Sequence, residues 1–447
     1  MKKFLCILLA FLLLLGCIGC NNSSAESTKP VEATNPGETQ SNPGNEDTVK
    51  VGVVGLLQSS GISYFDCFDV AAKMAMDEIN ANGGIGGKDL EIVFATGVTD
   101  STECKQRFTE LKEKGCIAIY PMVDDSYGPA AAQWASENKT PVFGAGNTST
   151  AMSIENYSDY MFFCCINAWG ATKVWADQAV KNRGYKNFMY VGTDGAATID
   201  AENFFLMEAQ KIDPSFRELA SYRMAADDSD FSTVMATILS SNPSPDMILQ
   251  QGGGVNIISF TQTANLYNMY DICEIWNDLA TMPPIVEALV EAGEYPYGHM
   301  YGVTAFPYWL NEFKWFVEEF NATAQEMFPD RKVYPSEGAL GIYWAFKSLQ
   351  QACNDCIAAG KDFTNSDELA AALANVRWTD DAGEHYYRDF DHQLMFDVWF
   401  NDTVDGGSEY DNYPIGGNMV RYTAEEYLPT REEMEEYAIS KGFTNRF

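Results

Sequence analysis

The chain has 447 residues, with 63 Asp and Glu against 29 Lys and Arg, giving a formal net charge of −34. A surface this acidic repels nucleic acid and anionic lipid headgroups, which excludes nucleic-acid binding. A chain of this length does not build a single compact core, so two domains are expected.

Lys2 and Lys3 precede an apolar run from Phe4 to Leu15, the charged and hydrophobic regions of a secretory signal. The run is too short to span a bilayer. It ends in Leu14-Leu15-Gly16-Cys17, which resembles the bacterial lipobox, where the signal is cut before a cysteine that becomes diacylated on its side chain. Residues 1–16 are therefore read as a lipoprotein signal peptide and Cys17 as the lipidation site. Gly19-Cys20 is a second candidate, but it has Cys17 where a leucine belongs at the third position before the cut. An ordinary signal peptide would need a small-x-small cleavage site, and none precedes residue 30 convincingly. Cleavage at Cys17 removes Lys2 and Lys3 and takes the charge to −36. The expected location is the extracytoplasmic face of the cell membrane, held by lipid alone, since no other stretch is long and apolar enough to cross.

Residues 17–48 form the lipidated tether. Residues 21–48 are Asn, Ser, Thr, Pro, Glu and Gly almost throughout, a composition that cannot bury enough apolar surface to fold. As a flexible coil this segment spans roughly 30 Å on average. Val49-Lys-Val-Gly-Val-Val-Gly55 is β-branched and ends in glycine, which predicts a buried parallel strand. Val70, Ala71, Met74, Ala75 and Ile79 lie at helical spacing, so a helix is expected over 70–80. Gly83-Gly84-Ile85-Gly86-Gly87 breaks the pattern, and Leu90 to Thr96 reads as the next strand.

The rhythm continues with a helix over 103–114, a strand over 116–120, a helix over 128–138 and a strand over 141–144. Strands alternating with helices predict a parallel sheet with right-handed crossovers and helices on both faces. The rhythm then restarts, with strands predicted over 186–192, 216–222, 247–251 and 272–277 and helices between them, giving a second sheet of similar size. Helices are expected over 309–327, 336–359 and 366–375, then strands over 394–400 and 419–422. The eleven cysteines have irregular spacing, with Cys164 and Cys165 adjacent, and no disulfide pairing follows. Cys353-x-x-Cys356 lies in an apolar helical pattern and, with no second such motif, reads as two buried thiols rather than a redox or metal site.

Val51-Gly-Val-Val-Gly-Leu-Leu and the segment from Ala75 to Val93, with its acidic helix end, glycine turn and following strand, resemble the opening of the type I periplasmic binding proteins that serve branched-chain amino acid importers. Asp230-Phe-Ser-Thr, Pro245-Asp-Met-Ile-Leu and Arg388-x-x-Asp391-His392-Gln393 extend the likeness over roughly residues 49–400. The resemblance implies an α/β fold of two doubly wound parallel-sheet lobes joined by a three-strand hinge. One lobe would hold residues 49–166 and 308–389, the other 167–307 and 390–447. It also implies a small solute captured by lobe closure and delivered to an ABC permease and its ATPase subunits. The alternative within the same fold is a ligand-sensing lipoprotein working with a separate receptor.

In open parallel sheets ligands sit beyond the carboxyl ends of the strands, so strand-end loops carry the candidate residues. Tyr64 holds the place of a ligand-packing aromatic, with a surface tyrosine as the competing reading. Asp124 falls where amino-acid binders of the family have a carboxylate-gripping serine, and two carboxylates repel in a dry cleft. Ser126 restores that contact if the loop register slips by two. Gly146, Asn147 and Thr148 match the family's small-small-Thr turn for the ligand's polar head. In the second lobe the family's aromatic wall aligns with Gly253 or Gly254, which widens the pocket. Asp278 falls near the family's ammonium-pairing acid, and Trp169 and Asp194 lie on adjacent cleft loops. The two acids, Asp124 and Asp278, favour a cationic or hydrogen-bond-donating solute over plain leucine.

No cofactor or metal is expected: the chain lacks a Gly-x-Ser-x-Gly elbow, and His299, His385 and His392 lack ligand spacing. An enzyme is accordingly not expected.

Overall fold

The computed structural model describes residues 48–56, 66–98, 100–122, 127–144, 149–225, 228–252, 255–277 and 279–443. Cys17 and the tether lie outside them.

The first sheet is built from β1 (Val49–Leu56), β2 (Leu90–Val98), β3 (Cys116–Met122), β4 (Val142–Gly144) and β5 (Met161–Phe163), all parallel, in the order β2-β1-β3-β4-β5. Val49, Val51, Val53 and Val54 of β1 are all buried, as a strand covered on both faces requires. Helix α1 (Asp66–Ala81) covers one face and α2 (Ser101–Glu113) with α3 (Gly128–Asn138) the other. Asp100 starts α2 by accepting the Thr102 and Glu103 N–H groups at 2.7 and 2.9 Å. Between α1 and β2 the glycine turn takes left-handed backbone at four positions, and a Cβ on Gly84 would sit 2.0 Å from the Lys88 carbonyl oxygen.

The second sheet begins after α4 (Ala168–Ala176) and contains β6 (Asn187–Thr193), β7 (Arg217–Met224), β8 (Met247–Gln251), β9 (Glu274–Trp276) and β10 (Met300–Thr304). Helices α5 (Ala196–Ile212), α6 (Ser232–Leu239), α7 (Val255–Leu266) and α8 (Pro283–Ala292) alternate with these strands. The chain then returns to the first sheet through α9 (Lys314–Met327), α10 (Glu337–Ala358) and α11 (Ser366–Leu373). The Tyr120 ring of β3 stacks between Phe143 of β4 at 4.8 Å and Phe346 of α10 at 4.2 Å, so α10 belongs to the first sheet's core.

A hairpin of β11 (Arg377–Asp380) and β12 (Gly383–Tyr386) leads back to the second sheet, which β13 (Val398–Asp405) and β14 (Pro414–Tyr422) complete. These two strands run antiparallel, β13 to β10 and β14 to β13. The second sheet therefore has seven strands against five, and an antiparallel edge in place of a purely parallel pattern. The strand expected from Leu394 starts at Val398, because Leu394 and Met395 spend their N–H groups on Phe163 and Tyr386 at 2.8 and 2.9 Å. Helices α12 (Ala424–Tyr427) and α13 (Arg431–Ser440) follow. A Thr430–Glu433 capping box starts α13.

The chain thus passes between the two sheets three times, near residues 164–167, 305–313 and 387–397. The first and third passages pair directly. Phe163 N–H donates to the His392 carbonyl at 3.0 Å, and the Gln393 side-chain amide donates to the Cys165 carbonyl at 2.9 Å. The His392 ring stacks on Phe162 with centroids 4.5 Å apart. Behind them Arg388 forks onto Asp391, with both side chains buried, and reaches the Pro429 carbonyl at 2.6 Å.

Removing one partner of a buried ion pair strands the other charge, at a cost of about 3–5 kcal/mol. Asp391→Ala is expected to lower unfolding stability by that amount in urea titration, and Asp391→Asn, which keeps one acceptor, by less.

Candidate functional site

The two sheets meet along their carboxyl edges. Thr150 follows the carboxyl end of β4, and Asp200 lies in the opening turns of α5, which follows β6. The Thr150 N–H and hydroxyl donate to Asp200 Oδ2 at 2.7 and 3.0 Å, a bond that runs from one lobe to the other. A small cavity of about 10 Å³, room for roughly one water, marks a second point on this seam. It is lined by Thr281, Pro283 and Thr304 of the second lobe and by Ser336 and Glu337 at the start of α10.

On the second-lobe edge the ends of β8 and β9 carry buried amides rather than charges. Gln250, Gln251, Asn256 and Asn277 are all buried. Asn277 Nδ2 donates to the Gln250 carbonyl at 3.1 Å and to the Gln250 side-chain oxygen, while Asn277 Oδ1 accepts from Leu279 N–H at 2.6 Å. Gln251 Nε2 donates to the Gln250 carbonyl at 2.9 Å, and Asn256 Nδ2 has no hydrogen-bond partner among the described residues. Gly252 allows this layout, since a Cβ there would lie 2.8 Å from Asn256 Oδ1. A neutral edge of donors and acceptors recognises polar groups by hydrogen bonding.

The first-lobe edge is acidic at the start of α1. Asp66 is buried and ion-paired with Arg331. Burial and the neighbouring Asp66 charge push Asp69 up to about 7. Cys67 Sγ lies 3.1 Å from Ser336 Oγ, so the amino ends of α1 and α10 converge here.

A larger cavity of about 280 Å³ opens at the opposite, amino edge of the second sheet, lined by Tyr185, Asp246, Tyr270, Glu274, His299 and Tyr301. Two of its three acids are engaged within the protein, while the third, Asp271, is exposed. Glu274 accepts from Arg183 Nε at 3.0 Å and Trp276 Nε1 at 2.8 Å, and Asp246 from the Lys186 and Asn187 N–H groups at 2.7 and 3.1 Å. Most of this groove's polar groups are thus tied into the protein's own network.

Most residues singled out from sequence, Tyr64, Asp124, Ser126, Gly146, Asn147, Thr148, Gly253 and Asp278, lie outside the described residues. Asp194 is exposed at the carboxyl end of β6. Trp169 is buried, its ring stacked on Phe204 at 4.5 Å and its N–H given to Glu208 at 2.7 Å, so protein partners occupy the indole. Thr150, Asp200, Gln251 and Asn277 were missed. The one signal for them is position, since Thr150 and Asn277 adjoin strand-end loops already marked and Gln250-Gln251 is a polar end to an apolar strand.

None of the eight described cysteines is in a disulfide, and all are buried. Burial pushes the Cys104 and Cys164 thiols up to about 12, and Cys353 and Cys356 are raised as well, the reverse of a redox-active pair. His385 sits between the Trp344 and Trp378 rings beside Asp380, 2.9 Å from its carboxylate. Among the described residues no helix is long and apolar enough to cross a membrane.

The sequence model of the periplasmic binding protein family matches residues 48–408. The chain belongs to that family. Its solved relatives share the fold at low identity. A Leu-, Ile-, Val-, Thr- and Ala-binding protein from Brucella ovis, in closed conformation, superposes with a TM-score of 0.72 at 17% identity, covering 86% of this chain and 97% of that one. A solute-binding protein of an ABC transporter from R. palustris, in complex with benzoate, gives 0.70 at 16% identity, with 86% and 98% covered. An ABC transporter substrate-binding protein from Sphaerobacter thermophilus gives 0.73 at 16%, with 86% and 100% covered. No curated protein sequence matches the chain.

A carboxyl raised in the folded state contributes stability that is full below its ordinary value near 3.9 and lost as pH climbs through its folded value. For Asp69 that value is about 7. Asp69→Asn is therefore expected to gain melting temperature relative to the parent as pH rises from 4 to 7.5, read by differential scanning calorimetry at matched ionic strength.

Proposed function

We propose that this member of the periplasmic binding protein family is the solute receptor of an ABC importer of the branched-chain amino acid class. It captures a small amino acid, amide or related polar solute between its lobes and delivers it to the permease and its ATPase subunits. Lipid on Cys17 holds it to the extracytoplasmic face of the membrane, and residues 17–48 give it reach. The single observation that carries this reading is the seam at the carboxyl edges of the two sheets. There one lobe brings hydrogen-bonding amides and the other an acidic helix start. The solved relatives support a small-solute receptor, since those with ligands in their descriptions take amino acids, benzoate or hydroxybenzoates.

The chemistry of the edge narrows the solute. Gln251 keeps a side-chain oxygen and a second amide hydrogen at the end of β8 beyond its bond to Gln250, and Asn277, its own amide spent on Gln250 and Leu279, holds this edge in place for a ligand that both gives and receives hydrogen bonds. An aliphatic side chain leaves the Gln251 groups unpaired, at a cost of about 1–3 kcal/mol for each. Asp124, which follows β3 in sequence, and Asp278, which follows β9, are both acidic and favour an amide or amine over plain leucine.

In a thermal-shift panel, amides and amines are expected to raise the melting temperature by several degrees and leucine, isoleucine and valine to do little. Asn277→Ala is expected to weaken the best solute about tenfold, near 1.4 kcal/mol. Stabilisation by the three branched-chain amino acids alone would refute the solute class. A protein that releases no small molecule on denaturation and binds none of the panel would refute the receptor reading.

A further inference from the structure

Residues after 408 lie beyond the segment that matches the family, and they include β14, α12 and α13. They do not trail off the second sheet. Helix α13 packs where the two lobes meet, against the π-helical turn Ala151–Glu155 of the first lobe and against α4 and α5 of the second. Met434 and Ala438 of α13, Ile154 of the first lobe, and Trp169 and Phe204 of the second form one buried hydrophobic cluster.

Polar contacts add to this packing. Toward the second lobe, Glu433 accepts from Lys173 and Lys211 at 2.9 Å each. Toward the first lobe, α13 packs on the turn Ala151–Glu155, with Tyr437 near Thr150, the residue whose N–H and hydroxyl reach Asp200. Lys441 and Glu155 supply the nearby charges around Asp200. A third tie is at the hinge, where Arg388 binds the Pro429 carbonyl at 2.6 Å and faces Met434 Sδ at 3.7 Å.

We infer that residues 423–443 are a clasp that fixes the resting angle between the lobes, biasing the empty protein toward closure before any solute arrives. The inference rests on the two-lobed receptor reading, and it adds that this chain tunes affinity through a segment outside the cleft. A helix bonded to both lobes stabilises only those lobe arrangements in which both sets of contacts persist. Each contact given up therefore shifts the open–closed equilibrium toward open. A solute that binds the closed form then binds more weakly by the fraction of closed protein lost. Loss of the Met434 contacts is expected to act through Ile154 of the first lobe, and loss of the Glu433 contacts through Lys173 and Lys211 of the second.

The test needs no solute, so its outcome is separate from that of the receptor reading. Fluorophores are placed through azide-bearing residues at exposed Glu113 of the first lobe and Ser244 of the second, and transfer efficiency is read on the solute-free protein. Met434→Ala and Glu433→Gln are each expected to lower the efficiency. Leu373→Ala, a buried position of α11 away from the clasp, is expected to lower the melting temperature and leave the efficiency unchanged. Unchanged efficiency in Met434→Ala and in the near-isosteric Glu433→Gln would overturn the clasp. So would a fall in Leu373→Ala equal to theirs, since lost stability alone would then explain the opening.

Discussion

Everything functional in this molecule depends on how the chain crosses between its two sheets. Three passages join the lobes, and the first and third are stitched by backbone bonds between Phe163, His392 and Leu394. The stitching is short, so the lobes can change their angle without either sheet losing its core. It is also anchored. Gln393 reaches across to Cys165, the His392 ring stacks on Phe162, and the Tyr387 hydroxyl lies 3.0 Å from both Cys164 Sγ and Ser348 Oγ. Burial holds the His392 imidazole below its ordinary value, consistent with a ring packed as a neutral group. A hinge made this way passes lobe motion along a line and resists twist, because the paired strands share hydrogen bonds that any twist would break.

What the hinge delivers is a seam with two different faces. The second lobe presents amides whose donors and acceptors are partly spent on one another, so their orientation is set before a solute arrives. Preorganisation of this kind lowers the cost of binding, since little side-chain freedom remains to be lost. The first lobe presents the amino ends of α1 and α10, where Asp66, Asp69, Cys67 and Ser336 come together. An uneven pair of faces suits a solute with a polar end and a distinct second end. In the proposed receptor, lobe closure is the step that brings both faces onto one molecule.

Much of the fold was legible in the chain because its signals are local. The β-branched run at Val49 to Val54, the helical spacing from Val70 to Ile79 and the glycine turn after it each appear where the sequence places them. What was missed is what depends on partners far along the chain. β10 is five residues with a glycine at its centre, and its strand character comes from lying between β9 and β13. The antiparallel return of β13 and β14 has no local mark, since alternation does not encode direction. Helix α13 carried a readable mark, Thr430 with Glu433 three residues on, but its importance comes from packing against Ile154 and Phe204. The site divides in the same way. Strand-end loops can be found by counting elements, whereas the Thr150–Asp200 bond joins residues that no periodicity connects.

The account's central claim is that solute draws the two lobes together across this seam. It is tested most directly by small-angle X-ray scattering of the protein, empty and then saturated with the solute recovered from it by mass spectrometry. The account predicts a smaller radius of gyration in the saturated sample at unchanged mass. Tight binding with an identical radius would contradict it.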